Sequence, residues 1–379
     1  MVRQEQESYQ DDHMVSIEEQ IKEIEEEIRS TPYNKSTQHH IGKLKAKLAK
    51  LQDELDKRKA KRGEAKGYAV KKAGHATVAL VGLPSVGKST LLNRLTDAES
   101  EVASYYFTTL KVIPGVMIFQ GAKIQILDMP GLVDGAAKGK GRGREVISVA
   151  RSADLLLLMV DVYNYDLDIL IKELGKGGIR LNQSPPDVYI KRKDRGGVNI
   201  SSTVKQTNMD EEFIAAIFRE YGYINADIVI REDITEDRLI DSIAKNRVYI
   251  PAIVVLNKID LVGKEDLTKI EKDLTGMPNS VISAKDGMGL DELRKRIYNA
   301  LDFIRIYMKP QGKKVDYNEP LVIKRDSSVG DVCDIIHRTF RKRFRYANIW
   351  GNSAKFPGQT VGMRHTLKEG DVITIVVSK

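Results

Sequence analysis

The segment Gly82–Ser89 has the residue types and spacing that can hold a chain of phosphates. Its sequence, GLPSVGKS, follows a short apolar run and precedes a helix-like segment, which is the context of a P-loop. The two glycines let the backbone turn so that its N–H groups and the helix N-terminus face an anion. The same spacing also arises by chance in a turn between a strand and a helix, so other motifs must decide.

Each side chain of the loop has an expected role. Lys88 would reach the β- and γ-phosphates, and the Ser89 hydroxyl would give Mg²⁺ the oxygen ligand that this cation prefers. Thr90 can also pack or cap the helix. The residues expected to bind the phosphate end of a nucleotide are Gly82, Pro84, Ser85, Val86, Gly87, Lys88, Ser89 and Thr90.

Two downstream motifs could read a base. Asn257–Asp260 (NKID) follows an apolar run and would lie at the carboxyl end of a parallel strand, where ligands bind in such sheets. The Asp260 carboxylate can accept from guanine N1–H and the exocyclic amine, a donor pair that adenine lacks. A loop at Ser283–Lys285 (SAK) could donate a backbone N–H to guanine O6. The expected base contacts are Asn257, Lys258, Asp260, Ser283, Ala284 and Lys285.

Two more motifs lie between these. Asp128 ends a predicted strand and suits a water-mediated Mg²⁺ contact, while the N–H of Gly131 could contact a γ-phosphate. Of two neighbouring hydroxyls we favour Thr109 over Thr108 as a Mg²⁺ ligand that binds only while that phosphate is present. The expected metal ligands are thus Ser89, Thr109 and Asp128, and the expected catalytic residues are Lys88, Thr109 and Gly131. Four motifs in this order favour a nucleotide site over chance.

These motifs resemble the Obg-related translation-factor GTPases. Within them, the segments Gly82–Leu92 (GLPSVGKSTLL) and Gly135–Val146 (GAAKGKGRGREV) are similar to the developmentally regulated GTP-binding proteins, and the resemblance covers nearly the entire chain. It implies GTP as substrate, GDP as product, Mg²⁺ as cofactor, and a switch role. The implied partners are the ribosome or other RNA and an accessory regulatory protein.

The residue after Gly131 bears on the rate of hydrolysis. Many Ras-like GTPases place a glutamine there to orient the attacking water, but this chain has Leu132, which cannot form a hydrogen bond. Slow intrinsic turnover is therefore expected, and the missing group would come from another switch residue, a monovalent cation or a partner. Some relatives use K⁺ with a P-loop asparagine; Ser85 stands at the position compared, so dependence on K⁺ stays open. Arg142 and Arg144 could approach phosphate or RNA, and either could take part in catalysis, but a basic loop more often serves contacts or solubility.

Composition limits the class of protein. The chain has 379 residues, enough for two or three domains, and its one cysteine, Cys333, is expected to fill a core in a reducing compartment. No apolar run approaches the ~20 residues that span a bilayer, so we expect a cytoplasmic protein without a membrane partner. The net charge is +8, with clustered basic residues that favour RNA. We expect a monomer, without DNA specificity, and find no metal-ligand spacing among the histidines.

The predicted fold class is α/β, with several modules. A P-loop GTPase (Ras-like) domain spans 74–306 and contains an inserted small α/β subdomain at 178–248. An N-terminal helical hairpin with a basic linker occupies 1–73, and a C-terminal β-grasp (TGS) domain occupies 307–379. The switches of the GTPase domain are predicted at 103–115 and 131–146, and the glycines of the second indicate little fixed structure without a ligand.

The N-terminal module has two apolar seams. Isoleucines recur over 17–28, and Ile41 and four leucines recur over 41–55, with alternating spacings of three and four. This pattern predicts either a hairpin or a coiled coil with a partner. Residues 57–72 follow with eight basic and one acidic side chain. This stretch is either a solvated linker or an RNA-facing arm.

The other two modules also carry basic residues. The insertion is predicted to contain strands at 187–191, 198–204 and 226–231, helices at 210–221 and 236–246, and a basic edge at 191–195. In the last module one helix is predicted over 330–344. Its apolar side chains would face a sheet. Its aromatic side chains would therefore belong to the core rather than stack on bases. Its arginines would form an RNA-binding face on the opposite side. The apolar residues are Val332, Ile336, Phe340 and Phe344, and the arginines are Arg338, Arg341 and Arg345, flanked by Lys342 and Arg343.

Two other functions remain open from the sequence. One is an RNA- or ribosome-binding scaffold in which a nucleotide serves structure and turnover is negligible. The other is a P-loop enzyme that uses ATP.

Overall fold

The computed structural model describes residues 17–34, 36–61, 74–96, 105–106, 111–132, 135–136, 143–274 and 276–378. Its helices are α1 (17–30), α2 (Gln38–Lys61), α3 (Lys88–Leu95), α4 (Gly143–Ala150), α5 (Asp168–Lys176), α6 (Glu211–Glu220), α7 (Glu236–Ala244), α8 (Lys264–Asp273), α9 (Leu290–Ala300), α10 (Val329–Ile336) and α11 (Arg338–Arg343). Its strands are β1 (Ala76–Gly82), β2 (Tyr105–Tyr106), β3 (Lys111–Phe119), β4 (Ala122–Asp128), β5 (Leu155–Asp161), β6 (Ile179–Leu181), β7 (Val188–Arg192), β8 (Val198–Ser202), β9 (Ala226–Ile230), β10 (Val248–Ile250), β11 (Ala252–Asn257), β12 (Asn279–Val281), β13 (Phe303–Met308), β14 (Leu321–Lys324), β15 (Phe344–Trp350), β16 (Gln359–Val361) and β17 (Val372–Val377). A 3₁₀ helix, Ile259–Leu261, follows β11.

The chain divides into two compact units. One unit contains the N-terminal helices and 183–249, and the other contains 68–182 and 250–379, as far as these ranges are described.

The second unit is built on a sheet with the strand order β12-β11-β5-β1-β4-β3-β2. Strands β4, β1, β5, β11 and β12 run parallel, and β3 and β2 continue the sheet antiparallel. Every residue of β1, β5 and β11 is buried, as expected for continuous apolar runs covered on both faces. The carboxyl ends of four parallel strands therefore meet at one edge, where Gly82, Asp128, Asp161 and Asn257 end their strands.

A smaller sheet lies in the last part of this unit, with the strand order β14-β13-β17-β15-β16. It begins at Phe303, whereas the sequence placed the last module from 307. Val332 and Cys333 on α10 are buried in its core with Ile306 and Ile373. The prediction that Cys333 fills a core is thus confirmed.

The prediction of one helix over 330–344 is wrong. The chain leaves the helical conformation at His337, where φ is −166° and ψ is 140°, and Phe344 already begins β15. Pairing of β15 with β17 gives Phe344 sheet partners that outweigh the local preference for helix. Ile336 is consequently exposed, while Phe340 and Phe344 pack half-buried against the core.

The predicted arginine face is therefore wrong too. Arg345 lies on a strand rather than on the helix with Arg341. Arg341 also forms an ion pair with Asp334 of α10.

The first unit contains the inserted subdomain. Its sheet has the order β7-β9-β8, with β7 antiparallel and β8 parallel to β9, and α6 and α7 cover one face. These elements match the strands and helices that the sequence predicted within a few residues.

The N-terminal helices join this subdomain. Near the turn between α1 and α2, His40 Nε2 lies 2.8 Å from Glu27 Oε1, and Ile24 and Ile41 are buried. The seam is thus buried within the chain, as in a hairpin. Ala46 and Ala49 of α2 are also buried, in the core of the inserted subdomain. The sequence did not predict this second packing face.

In the described part of the chain no helix combines the length and the apolar character that crossing a membrane requires.

Candidate functional site

The loop between β1 and α3 forms the centre of the site. Ser85 and Gly87 both have left-handed backbones, with φ of 65° and 95°, and Gly87 precedes α3 without a side-chain cap. The first N–H groups of α3 are therefore available to a ligand, which suits an anion. A Cβ atom on Gly87 would lie 2.3 Å from Asn257 Nδ2, so this position also needs glycine for space.

The loop borders a cavity of about 460 Å³. The cavity brings together residues from the P-loop and from the end of β4, two of the motifs found in the sequence. Its lining residues are Pro84, Ser85, Gly87, Lys88, Ser89, Thr90, Ile113, Asp128, Met129, Pro130 and Gly131.

Lys88 places its ammonium group at the buried side of this cavity. The residue is 7% exposed, and its Nζ donates to the carbonyl oxygens of Gly82 at 3.2 Å and Leu83 at 2.8 Å. Burial lowers the pKa of Lys88, and the charge of the nearby Asp128 opposes that change. An anion in the cavity would favour the charged lysine.

Ser89 and Asp128 form a pair of oxygen groups in the same cavity. The Ser89 hydroxyl donates to Asp128 Oδ2 at 2.5 Å, and Asp128 is 6% exposed. Burial raises the pKa of the Asp128 carboxyl, while the bond from Ser89 and the charge of Lys88 act in the other direction. A hydroxyl and a carboxylate side by side fit Mg²⁺, which takes few protein ligands and keeps water and phosphate oxygens as the rest.

The segment after Asp128 closes one side of the cavity. A Cβ atom on Gly131 would lie 2.7 Å from the backbone nitrogen of Pro84, so the two loops are in close contact. Leu132 is 1% exposed and donates its backbone N–H to the Gly82 carbonyl at 3.0 Å. Its side chain is packed in the protein and does not line the cavity.

Asn257 connects the phosphate loop to the predicted base-reading loops. Its Nδ2 donates to the Val86 carbonyl, and its Oδ1 accepts from the Ala284 N–H, both at 2.9 Å. Ser283 and Ala284 are buried, and Lys285 is exposed. One amide side chain thus fixes the P-loop and the SAK loop relative to each other.

Lys258 and Asp260 follow at the edge of the sheet. Lys258 has a left-handed backbone and precedes the 3₁₀ helix that contains the exposed Asp260. The Lys258 ammonium lies 2.6 Å from Asp161 Oδ2 at the end of β5.

Sequence reasoning missed two residues of this region. One is Asp161, whose only signal was its place at the end of a buried strand. The other is Arg94 of α3, whose guanidinium Nε donates to the Ala284 carbonyl at 3.1 Å and whose Nη2 donates to the Lys285 carbonyl. A basic residue near a helix end gave no indication of that contact.

Several predicted residues lie outside the described part of the chain. These are Thr108, Thr109, Arg142 and residues 62–72 of the basic stretch 57–72. Of the predicted first switch, residues 111–115 belong to strand β3, and of the second, residues 143–146 belong to helix α4. Residues 143–146 thus form part of an amphipathic helix in which Val146 is buried. The expectation of little fixed structure rested on the glycines of 131–143, two of which lie outside the described residues.

Three family models match successive parts of the chain. Residues 77–192 match a 50S ribosome-binding GTPase family, 195–303 match the C-terminal region of the same domain, and 304–377 match the TGS domain. The P-loop and Asp128 lie in the first match, and Asn257–Asp260 lies in the second.

Curated relatives match nearly the whole chain. Developmentally-regulated GTP-binding protein 2 of Homo sapiens is 44% identical over 96% of this chain and 100% of its own length. The chain belongs to the developmentally regulated GTP-binding proteins. Developmentally-regulated G-protein 2 of Arabidopsis thaliana is 45% identical over 96% of this chain and 92% of its own length. An uncharacterised GTP-binding protein of Methanocaldococcus jannaschii is 56% identical over 97% of this chain and 94% of its own length.

This member of the developmentally regulated GTP-binding proteins is also similar to solved GTPase structures. The YchF GTPase of Schizosaccharomyces pombe is 15% identical over 81% of this chain and 99% of that chain, with a TM-score of 0.41.

Proposed function

We propose that the protein binds GTP with Mg²⁺, hydrolyses it to GDP and phosphate, and acts as a switch on the ribosome or other RNA. One observation supports the proposed binding of a nucleotide. Lys88, the start of α3 and the Ser89–Asp128 pair share one cavity, and Asn257 connects that cavity to the loops bearing Asp260 and Ala284. This arrangement supports a ligand with a phosphate chain at one end and a base at the other.

The residues of the site divide the work between these two ends. The N–H groups at the start of α3 and the Lys88 ammonium hold the phosphates by charge and hydrogen bonding. Ser89 and Asp128 would hold Mg²⁺, with Thr109 as a third ligand, and the bound cation would neutralise charge on the phosphates. The Gly131 N–H would contact the γ-phosphate. Asp260 would accept from guanine, with Asn257, Lys258 and the 283–285 loop framing the base.

Hydrolysis needs a group that orients the attacking water, and residue 132 does not supply it. Because the Leu132 side chain is buried and apolar, it cannot orient a water molecule. We expect slow intrinsic turnover that a partner or a monovalent cation accelerates. K⁺ is one candidate cation, although a serine, Ser85, lines the cavity where relatives that use K⁺ have an asparagine.

The Asp260→Asn variant tests base recognition. We expect it to weaken GTP and GDP binding by at least about 100-fold, because a site built to hydrogen-bond one base discriminates strongly. The measurement is equilibrium titration with fluorescent GDP, GTP and ATP. Asp266→Asn, on exposed α8, is the control. Unchanged preference in Asp260→Asn, or preference for ATP in the wild type, would contradict the proposal.

Single-turnover hydrolysis separates the switch from its main alternative. A scaffold with a structural nucleotide is favoured by the buried Leu132. We expect GTP cleavage to accelerate with ribosomes, K⁺ or both, compared with Na⁺ alone. A rate that stays at background with ribosomes under every cation would support the scaffold instead.

The proposed RNA partner is supported by charge. The chain carries a net charge of +8. Lys191 and Arg192 at the end of β7 and Arg195 in the β7–β8 connection are exposed. Exposed cations gain affinity for phosphate backbones through counterion release. We further propose a monomer that works in the cytoplasm with an accessory protein.

A further inference from the structure

The carboxylate of Asp161 contacts the base-reading motif, and the mechanism above does not use it. Asp161 is the last residue of β5 and is 6% exposed. In the sheet it pairs in register with Asn257 of β11. Its Oδ2 lies 2.6 Å from the ammonium of Lys258, the residue that follows Asn257.

Lys258 occupies a backbone conformation that lysine seldom adopts. Its φ is 65° and its ψ is 32°, in the left-handed region that favours glycine. The residue is the cap of the 3₁₀ helix Ile259–Leu261, which carries Asp260. A change in the Lys258 backbone would therefore change the direction of the Asp260 carboxylate. An unfavoured conformation of this kind persists only where surrounding contacts fix it.

Asp161 is itself held in place by its own chain. Its Oδ1 accepts from the backbone N–H of Tyr163 at 3.1 Å and of Asn164 at 3.0 Å. These bonds orient the carboxylate so that the other oxygen meets Lys258. Two backbone hydrogen bonds thus fix the orientation of the Asp161 carboxylate.

We propose that Asp161 is a positioning residue for guanine recognition. Its ion pair holds Lys258 in the left-handed conformation and so aims Asp260 at the base. The inference rests on the proposed binding of GTP and assigns to it a residue outside the recognised motifs.

The test compares Asp161→Asn with the wild-type chain in GDP and GTP titrations. Asparagine keeps an oxygen that can accept from Tyr163 and Asn164 but removes the charge that pairs with Lys258. We expect the dissociation constants for both guanine nucleotides to rise about tenfold, the size of typical couplings between contacting charges. Weak ATP binding should not change, because the phosphate contacts are intact, so selectivity should fall by the same factor. The rate of cleavage at saturating GTP should also not change.

A double-mutant cycle identifies the route of the effect. If Asp161 acts through Lys258, Asp161→Asn should have little further effect in a Lys258→Met background. The matched control is Asp154→Asn at the opposite end of β5, where the carboxylate contacts Lys324 at 3.1 Å and accepts from the Thr77 N–H at 2.9 Å. That variant should bind guanine nucleotides like the wild type.

The outcomes separate this inference from the proposed function. Wild-type affinity in Asp161→Asn, or an equal loss in the Lys258→Met background, would overturn the positioning role alone. Equal losses in Asp161→Asn and Asp154→Asn would also overturn it, since they would indicate a general loss of structure. A wild-type protein that does not bind GDP would overturn the proposed function and this inference together.

Discussion

Gly87 illustrates how single residues set the geometry of the site. Its φ of 95° favours glycine, and a Cβ atom there would lie 2.3 Å from the Asn257 amide nitrogen. Asn257 in turn bonds to Val86 and Ala284. Any larger residue at 87 would strain the loop and displace the Asn257 side chain, which joins the P-loop to the 283–285 loop. The motif spacing is therefore a packing requirement as well as a chemical one.

The buried position of Leu132 determines what a glutamine there could do. We expect Leu132→Gln not to accelerate GTP hydrolysis, because the side chain at this position is buried outside the cavity. Burial of an unpaired amide should lower the free energy of unfolding by about 1–3 kcal/mol. Single-turnover assays and urea unfolding measure the two effects.

Leu132→Met is the matched control, since it conserves volume and should cost less than about 1.5 kcal/mol. Faster hydrolysis in Leu132→Gln would mean that residue 132 reaches the nucleotide.

Helix α2 joins two parts of the chain that lie far apart in the sequence. The helix carries two apolar faces, one within the N-terminal seam and one made of small residues that packs on α6 and α7. Side chains of Lys45 and Lys50 reinforce this contact: Lys45 pairs with Glu236 and lies 3.3 Å from Asp237, and Lys50 donates to the Glu220 carbonyl at 2.9 Å. The hairpin and the insertion are consequently one structural unit despite their separation in the sequence.

Gly42 tests this packing. A Cβ atom there would lie 2.2 Å from the Phe213 ring, so Gly42→Ala should destabilise the docked helix by about 1–3 kcal/mol despite the better helix propensity of alanine. Amide hydrogen exchange of α2 and α6 measures the loss. Gly175→Ala on α5, where nothing lies within 4 Å, is the control and should stabilise its helix by about 0.5–1 kcal/mol. Equal protection in the two variants would contradict the close contact.

The start of α10 gives a prediction about pH. The backbone N–H and the hydroxyl of Ser328 both donate to Asp331 Oδ2, at 2.8 and 2.7 Å, and these bonds lower the pKa of Asp331. A lowered pKa stabilises the folded state above the unfolded pKa of about 4, and that contribution disappears as pH falls through the folded value. We expect Asp331→Asn to be less stable than the wild type at pH 7, with a difference that shrinks below pH ~4. Thermal unfolding across that pH range measures the difference in stability between the two proteins. A difference that does not change with pH would contradict the role of the Asp331 carboxylate.

The whole molecule combines the proposed nucleotide site with basic segments distributed along the chain. Residues 57–61 end helix α2, and the rest of the basic stretch continues beyond the described helix. The role of this stretch in RNA binding is still a prediction. The arginines of the last module no longer form a single face that could share that role.

Salt dependence tests the basic stretch. Replacing the eight basic residues in 57–72 by glutamine should weaken binding to ribosomal RNA, and each lost phosphate contact should reduce the slope of log K against log salt by roughly 0.7–0.9. Filter binding at several salt concentrations measures that slope. Replacing lysines on α8 provides a control for charge loss elsewhere. An unchanged slope would assign residues 57–72 to solvation.

Reading the sequence alone was enough to predict the residues of the candidate nucleotide site and most of the elements around it. Each motif is continuous and follows an apolar run, so local spacing places Lys88, Asp128 and Asn257 at strand ends that a parallel sheet must bring together. The contacts between distant segments became visible in the folded chain: α2 on the insertion, Arg94 on the 283–285 loop, and Asp161 on Lys258. The tertiary structure also ended the helix at His337, because pairing between β15 and β17 is a non-local interaction that helical periodicity does not record. Partners such as Asp161 and Lys258, 97 positions apart, are chosen by strand order, which a pattern within one segment cannot specify.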